Sequence, residues 1–239
     1  MPKAKVNGIE LYYEVQGRGY PVVFMHGFTY TVDMWQPQVE AVSRGYQMVA
    51  YDARGHGRSE SPPSPEQYSS DIVVEDLHQL MAALGISKAV LAGHSNGGYQ
   101  AMRFYSRYPQ MVAALILIDS GPGYRNPAHM EEWNQQQEGL AKRYESRGDI
   151  GLANMARRVI AQHDSSVIES LGEIKVPTLV LVGDGDQAFL QAAEYMAGTI
   201  PGAEHMVVPG AGHNANQDNA GFVNKAILDF LGKLDLPGG

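Results

Sequence analysis

A serine between two glycines is the first part of this 239-residue chain whose residue types could do chemistry. Ser95 lies in the segment Gly93–Gly97 (GHSNG), which follows an apolar run at 89–92 and opens a helical pattern. A G-x-S-x-G segment between a strand and a helix is typical of a sharp turn that exposes the serine hydroxyl. The small glycines let the backbone close tightly around that turn. The pattern therefore predicts that Ser95 is a nucleophile.

A serine hydroxyl is a weak nucleophile at neutral pH and needs a base that removes its proton and later returns it. His213 lies in the sequence PGAGH, directly after the last apolar run and before the closing helical pattern. We therefore predict that His213 is the general base. A packed or solvated side chain is expected for His78, His129, His163 and His205. His94 adjoins the nucleophile, but its side chain should leave the elbow in another direction.

The imidazole in turn needs an acid that fixes its tautomer and stabilises its charged form. Asp186 is the predicted acid, because it follows the apolar run at 178–182 closely and can point from there toward His213. Two alternatives remain open. Asp184 lies at the same strand end, where it could instead cap the loop or the following helix, and Asp119 ends the apolar run before it.

A tetrahedral intermediate of acyl transfer needs preorganised donors for its oxyanion, and loss of one donor typically costs about 10²- to 10³-fold in turnover. The sequence HGF at 26–28 ends an early apolar run and can supply one backbone amide. The residue after the nucleophile can supply another. We predict the amides of Phe28 and Asn96 as the donors, with the side chain of Phe28 lining the acyl pocket.

The elements that must position these residues alternate along the chain. Short apolar runs with the length of buried strands lie at 22–25, 48–51, 89–92, 112–118, 178–182 and 206–208. Helical patterns lie at 35–44, 71–84, 97–108, 187–199 and 220–234. This alternation predicts an α/β fold, with a mostly parallel twisted sheet covered by helices on both faces. An Asn7-Gly8 turn between two strand patterns predicts an opening antiparallel hairpin.

Residues 122–172 break the alternation, since they contain two helical patterns, at 131–144 and 150–162, and no convincing strand. We predict one domain over residues 1–239, with a small helical lid inserted at 122–172. Two surface helices that do not contact the substrate are the alternative. Apolar side chains from this segment could line an acyl pocket, although surface packing explains them equally well: Tyr124, Met130, Trp133 and Met155.

The composition narrows the classes of partner. A net charge of −8 argues against a nucleic-acid surface, which needs clustered Lys and Arg. The chain has no cysteine, so disulfides and a thiolate nucleophile are excluded. No apolar run approaches the roughly 20 residues of a membrane span, and the first residues do not match a signal peptide. We therefore expect a cytoplasmic protein with a small-molecule substrate, no nucleic-acid partner and no membrane partner.

The sequence resembles the α/β-hydrolase superfamily in four segments: 93–98, YDARGHGRS at 51–59, His26-Gly27, and 210–213. The resemblance spans nearly the whole chain and implies the α/β-hydrolase fold, in which serine, acid and histidine follow in this order. It also implies that Asp52, Arg54 and His56 belong to a structural loop. Ser95 argues against epoxide hydrolases and haloalkane dehalogenases of this fold, which carry Asp at the elbow.

The predicted function is hydrolysis of small or medium carboxylic esters through an acyl-enzyme. No metal or organic cofactor is expected, because the chain has no HExxH motif, phosphate-binding loop or dinucleotide fingerprint. A lactonase of the enol-lactone type and a carbon–carbon bond hydrolase are alternatives on the same triad. A ligand receptor with little turnover is the alternative of a different class.

Overall fold

The structure is a computed structural model that describes residues 2–237. Eight strands form one sheet in the order β1-β2-β4-β3-β5-β6-β7-β8. The strands are β1 (Lys3–Val6), β2 (Ile9–Gln16), β3 (Pro21–Met25), β4 (Gln47–Tyr51), β5 (Ala89–His94), β6 (Val112–Ile118), β7 (Thr178–Gly183) and β8 (Glu204–Val208). The α-helices are α1 (Gln36–Ser43), α2 (Ser70–Ala83), α3 (Asn96–Arg107), α4 (Pro127–Glu145), α5 (Ile150–Met155), α6 (Ser166–Ser170), α7 (Leu190–Thr199), α8 (Ala215–Asp218) and α9 (Ala220–Leu231).

The sheet begins antiparallel and continues parallel. Strands β1 and β2 form the predicted hairpin, in which Asn7 and Gly8 both have positive φ angles (44° and 80°). β2 also pairs antiparallel with β4, and every pairing from β4 through β3, β5, β6 and β7 to β8 is parallel. The predicted α/β-hydrolase fold, with a mostly parallel sheet and helices on both faces, is confirmed.

Each central strand contributes side chains to both faces of the sheet, because neighbouring side chains point to opposite sides. In β3, Val23 and Met25 pack into one apolar cluster, whereas Val22 and Phe24 pack into the other. A strand covered on both faces reads as a continuous apolar run. This is why the central strands were recognisable from the sequence.

Two elements, α7 and β8, begin at residues other than the predicted ones. α7 begins at Leu190 and not at 187, because the chain first turns so that the amides of Phe189 and Leu190 both donate to the carbonyl of Asp186. β8 begins at Glu204 and not at 206. β8 is an edge strand, and its first residues, Glu204 and His205, are polar and partly solvated.

The chain between β6 and β7 is helical, and the fully described residues 119–177 contain no strand. α5 is followed at once by a π-helical turn, Ala156–Ile160, so the predicted helix at 150–162 is two elements. Arg157 of this turn forms ion pairs with Glu138 (2.6 Å) and Glu145 (2.7 Å) of α4. The segment therefore packs as one unit.

Within residues 2–237, no helix is both long and apolar enough to cross a membrane.

Candidate active site

The carboxyl ends of the parallel strands carry the predicted site residues, as expected for ligand sites of open α/β sheets. Ser95 follows β5 and caps α3 with φ 51° and ψ −119°, a conformation that non-glycine residues rarely adopt. The turn is possible because its neighbours lack a Cβ atom. A Cβ on Gly93 would collide with the backbone of Gly97, and one on Gly97 would collide with the carbonyl oxygen of Met25. The elbow thus holds the Ser95 hydroxyl in a fixed place.

Three of the predicted residues meet at this elbow. Nε2 of His213 lies 3.0 Å from Oγ of Ser95, and Nδ1 of His213 lies 2.8 Å from Oδ2 of Asp186. The carboxylate of Asp186 is buried, whereas the ring of His213 is partly open to solvent. Phe189 stacks on the His213 ring with 4.8 Å between centroids. The arrangement can take a proton from the serine hydroxyl onto Nε2 while the carboxylate holds Nδ1–H.

The two other aspartates considered for the acid have different partners. Asp184 accepts hydrogen bonds from the amides of Gly210 (2.9 Å) and Ala211 (3.2 Å), so it caps the loop, as its alternative interpretation suggested. Asp119 is buried and accepts from the amides of Gly183 (2.9 Å) and Ala215 (2.8 Å). Its burial raises its pKa to about 6, although the two amides oppose that shift. Of the three aspartates, Asp186 is the one in contact with the His213 ring.

The backbone around His213 is held by side chains from other parts of the chain. Besides the bonds to Asp184 and Asp119, the amide of Gly212 donates to Asp218 (2.8 Å). His94, which is fully buried, donates from Nε2 to the carbonyl oxygen of His213 (2.6 Å). Burial lowers the pKa of His94 to about 3, so this ring is neutral. These contacts fix the position of the His213 backbone relative to Ser95.

Phe28 and Asn96, whose amides are the predicted oxyanion donors, line one and the same cleft. The amide of Asn96 opens α3, where a helix leaves its first N–H groups without an intrahelical partner. Within residues 2–237, backbone groups accept no hydrogen bond from the amide of Phe28 or of Asn96. Both amides therefore lack a backbone acceptor, as donors to an oxyanion would.

A scaffold loop positions the Phe28 amide. The amide of Thr29 donates to Nε2 of His56 (3.2 Å), and the amide of Ala53 donates to Nε2 of His26 (2.9 Å). Each ring donates from Nδ1 to a carbonyl oxygen, that of Arg54 for His56 and that of Gly27 for His26. Burial lowers the pKa of both histidines, to about 3 for His56. Two neutral imidazoles thus join the 26–29 loop to the 53–56 loop.

Asp52 and Arg54 complete this scaffold. Asp52 accepts hydrogen bonds from the amides of Val32 (2.7 Å) and Arg58 (2.8 Å), and Arg54 forms a buried ion pair with Asp76 (2.6 Å). None of these groups touches Ser95. The geometry therefore agrees with the structural role that the resemblance implied for this loop.

A narrow cleft borders the elbow. Its lining is Met25, His26, Gly27, Phe28, Tyr51, Ala53, His56, Val73, Asn96, Gly97, Gln100 and Met155. Phe28 and Met155, two of the predicted substrate-binding residues, lie in this lining. Met155 comes from α5, so the helical segment between β6 and β7 contributes to the wall.

The structure does not bring the other three predicted substrate-binding residues, Tyr124, Met130 and Trp133, to this cleft. The indole of Trp133 donates to the carbonyl oxygen of Ile160 (2.8 Å) and lies beside the exposed ring of Tyr124. The cleft geometry therefore gives no support to their predicted role. Trp133 joins α4 to the π-helical turn within the segment.

Two residues of the site were missed from the sequence. Gln100 lies on α3 one turn after Asn96, and this helical spacing could have indicated a shared face. Phe189 follows Asp186 by three positions, and no sequence signal distinguishes it from an ordinary apolar residue.

In the part of the chain that the structure describes, no group of three His, Cys, Asp or Glu side chains is placed to hold a metal ion.

Comparison with known proteins identifies the family. A sequence profile described as the α/β hydrolase fold matches residues 20–160, more than half of the chain. The chain belongs to the α/β-hydrolase family. This α/β hydrolase is 28% identical to a non-heme chloroperoxidase of Kitasatospora aureofaciens, over 95% of the chain and 98% of the relative.

Solved structures resemble the α/β hydrolase along its whole length. A thermophilic esterase from Thermogutta terrifontis matches with a TM-score of 0.90 and 28% identity, covering 98% of this chain and 99% of the esterase. The enol-lactonase from Burkholderia xenovorans matches with a TM-score of 0.83 and 26% identity, covering 97% of this chain and all of the lactonase. The proteins that this chain is similar to are thus named for different reactions.

Proposed function

We propose that this α/β hydrolase is a serine hydrolase that cleaves small or medium carboxylic esters through an acyl-enzyme. The observation that carries the proposal is the chain of contacts from Ser95 through His213 to Asp186, with separations of 3.0 and 2.8 Å. Nucleophile, base and orienting acid in hydrogen-bond contact are the arrangement that acyl transfer needs.

In the first half-reaction, Nε2 of His213 takes the Ser95 proton while Oγ bonds to the ester carbonyl carbon. The carbonyl oxygen becomes an oxyanion and accepts hydrogen bonds from the amides of Phe28 and Asn96. The tetrahedral intermediate then collapses, the ester C–O bond breaks, and His213 gives its proton to the departing alkoxide. An alcohol leaves, and the acyl group remains on Ser95.

In the second half-reaction, His213 takes a proton from water while the water oxygen bonds to the acyl carbon. Collapse of this intermediate breaks the bond to Oγ, and Ser95 recovers its proton from His213. The carboxylic acid is released. Asp186 keeps Nδ1–H oriented and stabilises the imidazolium in both halves.

A lactone is a second candidate substrate, favoured by the similarity to an enol-lactonase over the whole chain. The same steps open a cyclic ester, except that the leaving alkoxide stays attached to the acyl chain. The similarity to a chloroperoxidase gives a further reaction to test, in which hydrogen peroxide replaces water as the second nucleophile and the product is a peroxy acid.

The test is a series of p-nitrophenyl esters from acetate to decanoate, measured with the native chain and with S95A. We expect turnover by the native chain that is highest for short or medium acyl chains and absent from S95A. Lactones of matched size, and esters with added hydrogen peroxide, separate the candidate reactions by their kcat/KM values. Ester turnover that persists in S95A contradicts the proposed nucleophile.

A further inference from the structure

One buried carboxylate bonds to the segments that carry two of the site residues. Asp119 follows β6 directly and is fully buried. Its Oδ1 accepts a hydrogen bond from the amide of Gly183 (2.9 Å), and its Oδ2 accepts one from the amide of Ala215 (2.8 Å). Asp186 lies three residues after Gly183, and His213 lies two residues before Ala215. The Asp119 side chain therefore joins the segment of Asp186 to the segment of His213.

The backbone on either side of Asp119 contacts the elbow. The amide of Ser95 donates to the carbonyl oxygen of Ile118 (2.9 Å). The hydroxyl of Ser120 lies 3.0 Å from the carbonyl oxygens of both Ser95 and Ile118. Residues 118–120 therefore hold the turn of the nucleophile as well as the two other segments.

Asp119 has a backbone conformation that costs free energy. Its φ of 48° lies in the left-handed region, which non-glycine residues rarely adopt. Aspartate tolerates this region better than most residues, yet glycine would adopt it at lower cost. The turn alone therefore does not explain an aspartate at this position, whereas the bonds of its carboxylate do.

The geometry around the side chain suits an ionised carboxylate. Two amide N–H groups donate to its two oxygens. Protonation would put a hydroxyl donor in place of one acceptor, so that one of the amides would face a donor. Hydrogen bonds to an ionised acceptor are also stronger than those between neutral groups. The two segments are therefore held most firmly when Asp119 is charged.

The charge of Asp119 responds to mild acid. Burial raises the pKa of Asp119 to about 6, although the two amides oppose the shift. Three other titratable groups face the carboxylate. His94 at the end of β5 is 3.8 Å away and neutral, Asp186 raises the pKa of Asp119 further, and His213 lowers it. Asp119 is therefore ionised at pH 8 and mostly protonated at pH 5.

We propose that Asp119 is a positioning residue, whose carboxylate holds His213 and Asp186 in contact by binding one backbone amide beside each. The ring nitrogens of His213 bond to Ser95 and Asp186, so Asp119 acts through the two segments and not as the acid. It is also outside the lining of the cleft. The inference rests on the proposed function, because positioning matters only if these residues catalyse a reaction.

The variant D119N imitates protonated Asp119, since asparagine keeps the shape and replaces one acceptor by a donor. With p-nitrophenyl acetate at pH 8, we expect its kcat to be about 10- to 100-fold below that of the native chain. KM should change by less than about threefold, because Asp119 does not contact the substrate. At pH 5 the native carboxyl is itself mostly protonated, so the kcat ratio of native chain to D119N should shrink by at least about threefold. A purely structural role would leave that ratio independent of pH.

D52N is the matched control. Asp52 is also fully buried and accepts hydrogen bonds from two amides, those of Val32 and Arg58. Within residues 2–237, its carboxylate makes no hydrogen bond to residues 183–186 or 213–215. The kcat ratio of native chain to D52N should therefore be the same at pH 8 and pH 5.

The native chain gives a second measurement, which does not depend on the folding of D119N. Protonation of His213 alone can lower kcat/KM by at most about 10-fold per pH unit. Protonation of Asp119 adds to this loss, so we expect a fall of more than about 10-fold between pH 6 and pH 5. Tryptophan fluorescence at each pH checks that the chain remains folded.

A kcat ratio of native chain to D119N that is equal at pH 8 and pH 5 overturns the inference. So does a native kcat/KM that falls no more steeply than one protonation allows. Failure of the proposed function gives a different result, because a fluorophosphonate labels an activated serine without ester turnover. A native chain that labels faster than D119N at pH 8, with a smaller advantage at pH 5, but hydrolyses no ester would retain the positioning role and contradict the esterase reaction.

Discussion

The buried ring of His94 donates a hydrogen bond from Nε2 to the backbone carbonyl of His213, 119 positions further along the chain. The two rings also pack with 5.1 Å between their centroids. The residue before the nucleophile therefore supports the residue that is proposed to activate it. This direct bond couples the position of His213 to the elbow itself.

Loss of the His94 donor should lower turnover more than substrate binding. We expect H94F to reduce kcat about 10-fold with a smaller change in KM, because His213 loses one hydrogen bond that sets its distance from Ser95. H94Q, whose amide nitrogen can replace Nε2–H, should recover part of the loss. H205Q, at an exposed histidine of β8, is the control. Equal kcat values for H94F and the native chain would show that the bond does not position His213.

Two neighbouring aspartates should respond differently to the same substitution. D186N should reduce kcat by about 10³- to 10⁴-fold, because the amide cannot both hold Nδ1–H and stabilise the imidazolium. D184N should mainly lower the free energy of unfolding, by about 1–2 kcal/mol, because it weakens the cap on Gly210 and Ala211. Steady-state kinetics and urea unfolding of both variants separate the roles. A greater loss of kcat in D184N would identify it as the acid.

The buried histidines should make the protein less stable in mild acid. His56 and His94 have pKa values lowered to about 3 by burial, whereas the unfolded chain protonates them below about 6.5. Between these values the unfolded state binds more protons, so stability falls as the pH falls. From pH 7 to pH 5 each histidine removes about 2 kcal/mol, and His26 acts in the same direction.

Asp119 opposes this trend. Its pKa is raised to about 6, so the folded state takes up a proton before the unfolded state does and gains about 1.4 kcal/mol at pH 5. We therefore expect a net loss of about 2.5 kcal/mol between pH 7 and pH 5, measured by urea unfolding. A free energy of unfolding that stays constant or rises toward pH 5 would contradict the neutral, buried state of these histidines.

The elbow should not accept a methyl group at Gly97. G97A should lose several kcal/mol of stability, since its Cβ would meet the carbonyl oxygens of Met25 and His26. G139A is the matched control, because Gly139 lies within α4 and nothing occupies the space of its Cβ. It should gain about 0.5–1 kcal/mol from higher helix propensity. Thermal unfolding of both variants gives the comparison, and a G97A protein as stable as G139A would contradict the tight elbow.

The sequence predicted the elements and residues that depend on local pattern. The central strands are buried on both faces, so β6 was recognisable as an apolar run with its observed bounds, Val112–Ile118. Ser95, His213 and Asp186 were identifiable because each follows a strand in a glycine-rich turn. The structure brings these three into contact, and Asp184 occupies the capping position that had been its alternative.

Features that depend on packing between distant segments were not predictable from pattern. Tyr124, Met130 and Trp133 have the apolar character of a pocket lining, but the fold of the helical segment directs Met155 alone of the four to the cleft. The polar residue Gln100 gave no apolar signal. Its spacing from Asn96 indicates a shared face of α3, but whether that face borders a cleft depends on how α3 packs beside the 26–29 and 53–56 loops.

Covalent labelling of the native chain with a fluorophosphonate, followed by intact-mass and peptide-mass measurement, tests directly whether Ser95 is an activated nucleophile. We expect one adduct per chain, located on Ser95, and no adduct in S95A. D186N should label far more slowly than the native chain. A native chain that remains unlabelled, or an S95A protein that labels at the native rate, would contradict the claim that Ser95 is the activated nucleophile.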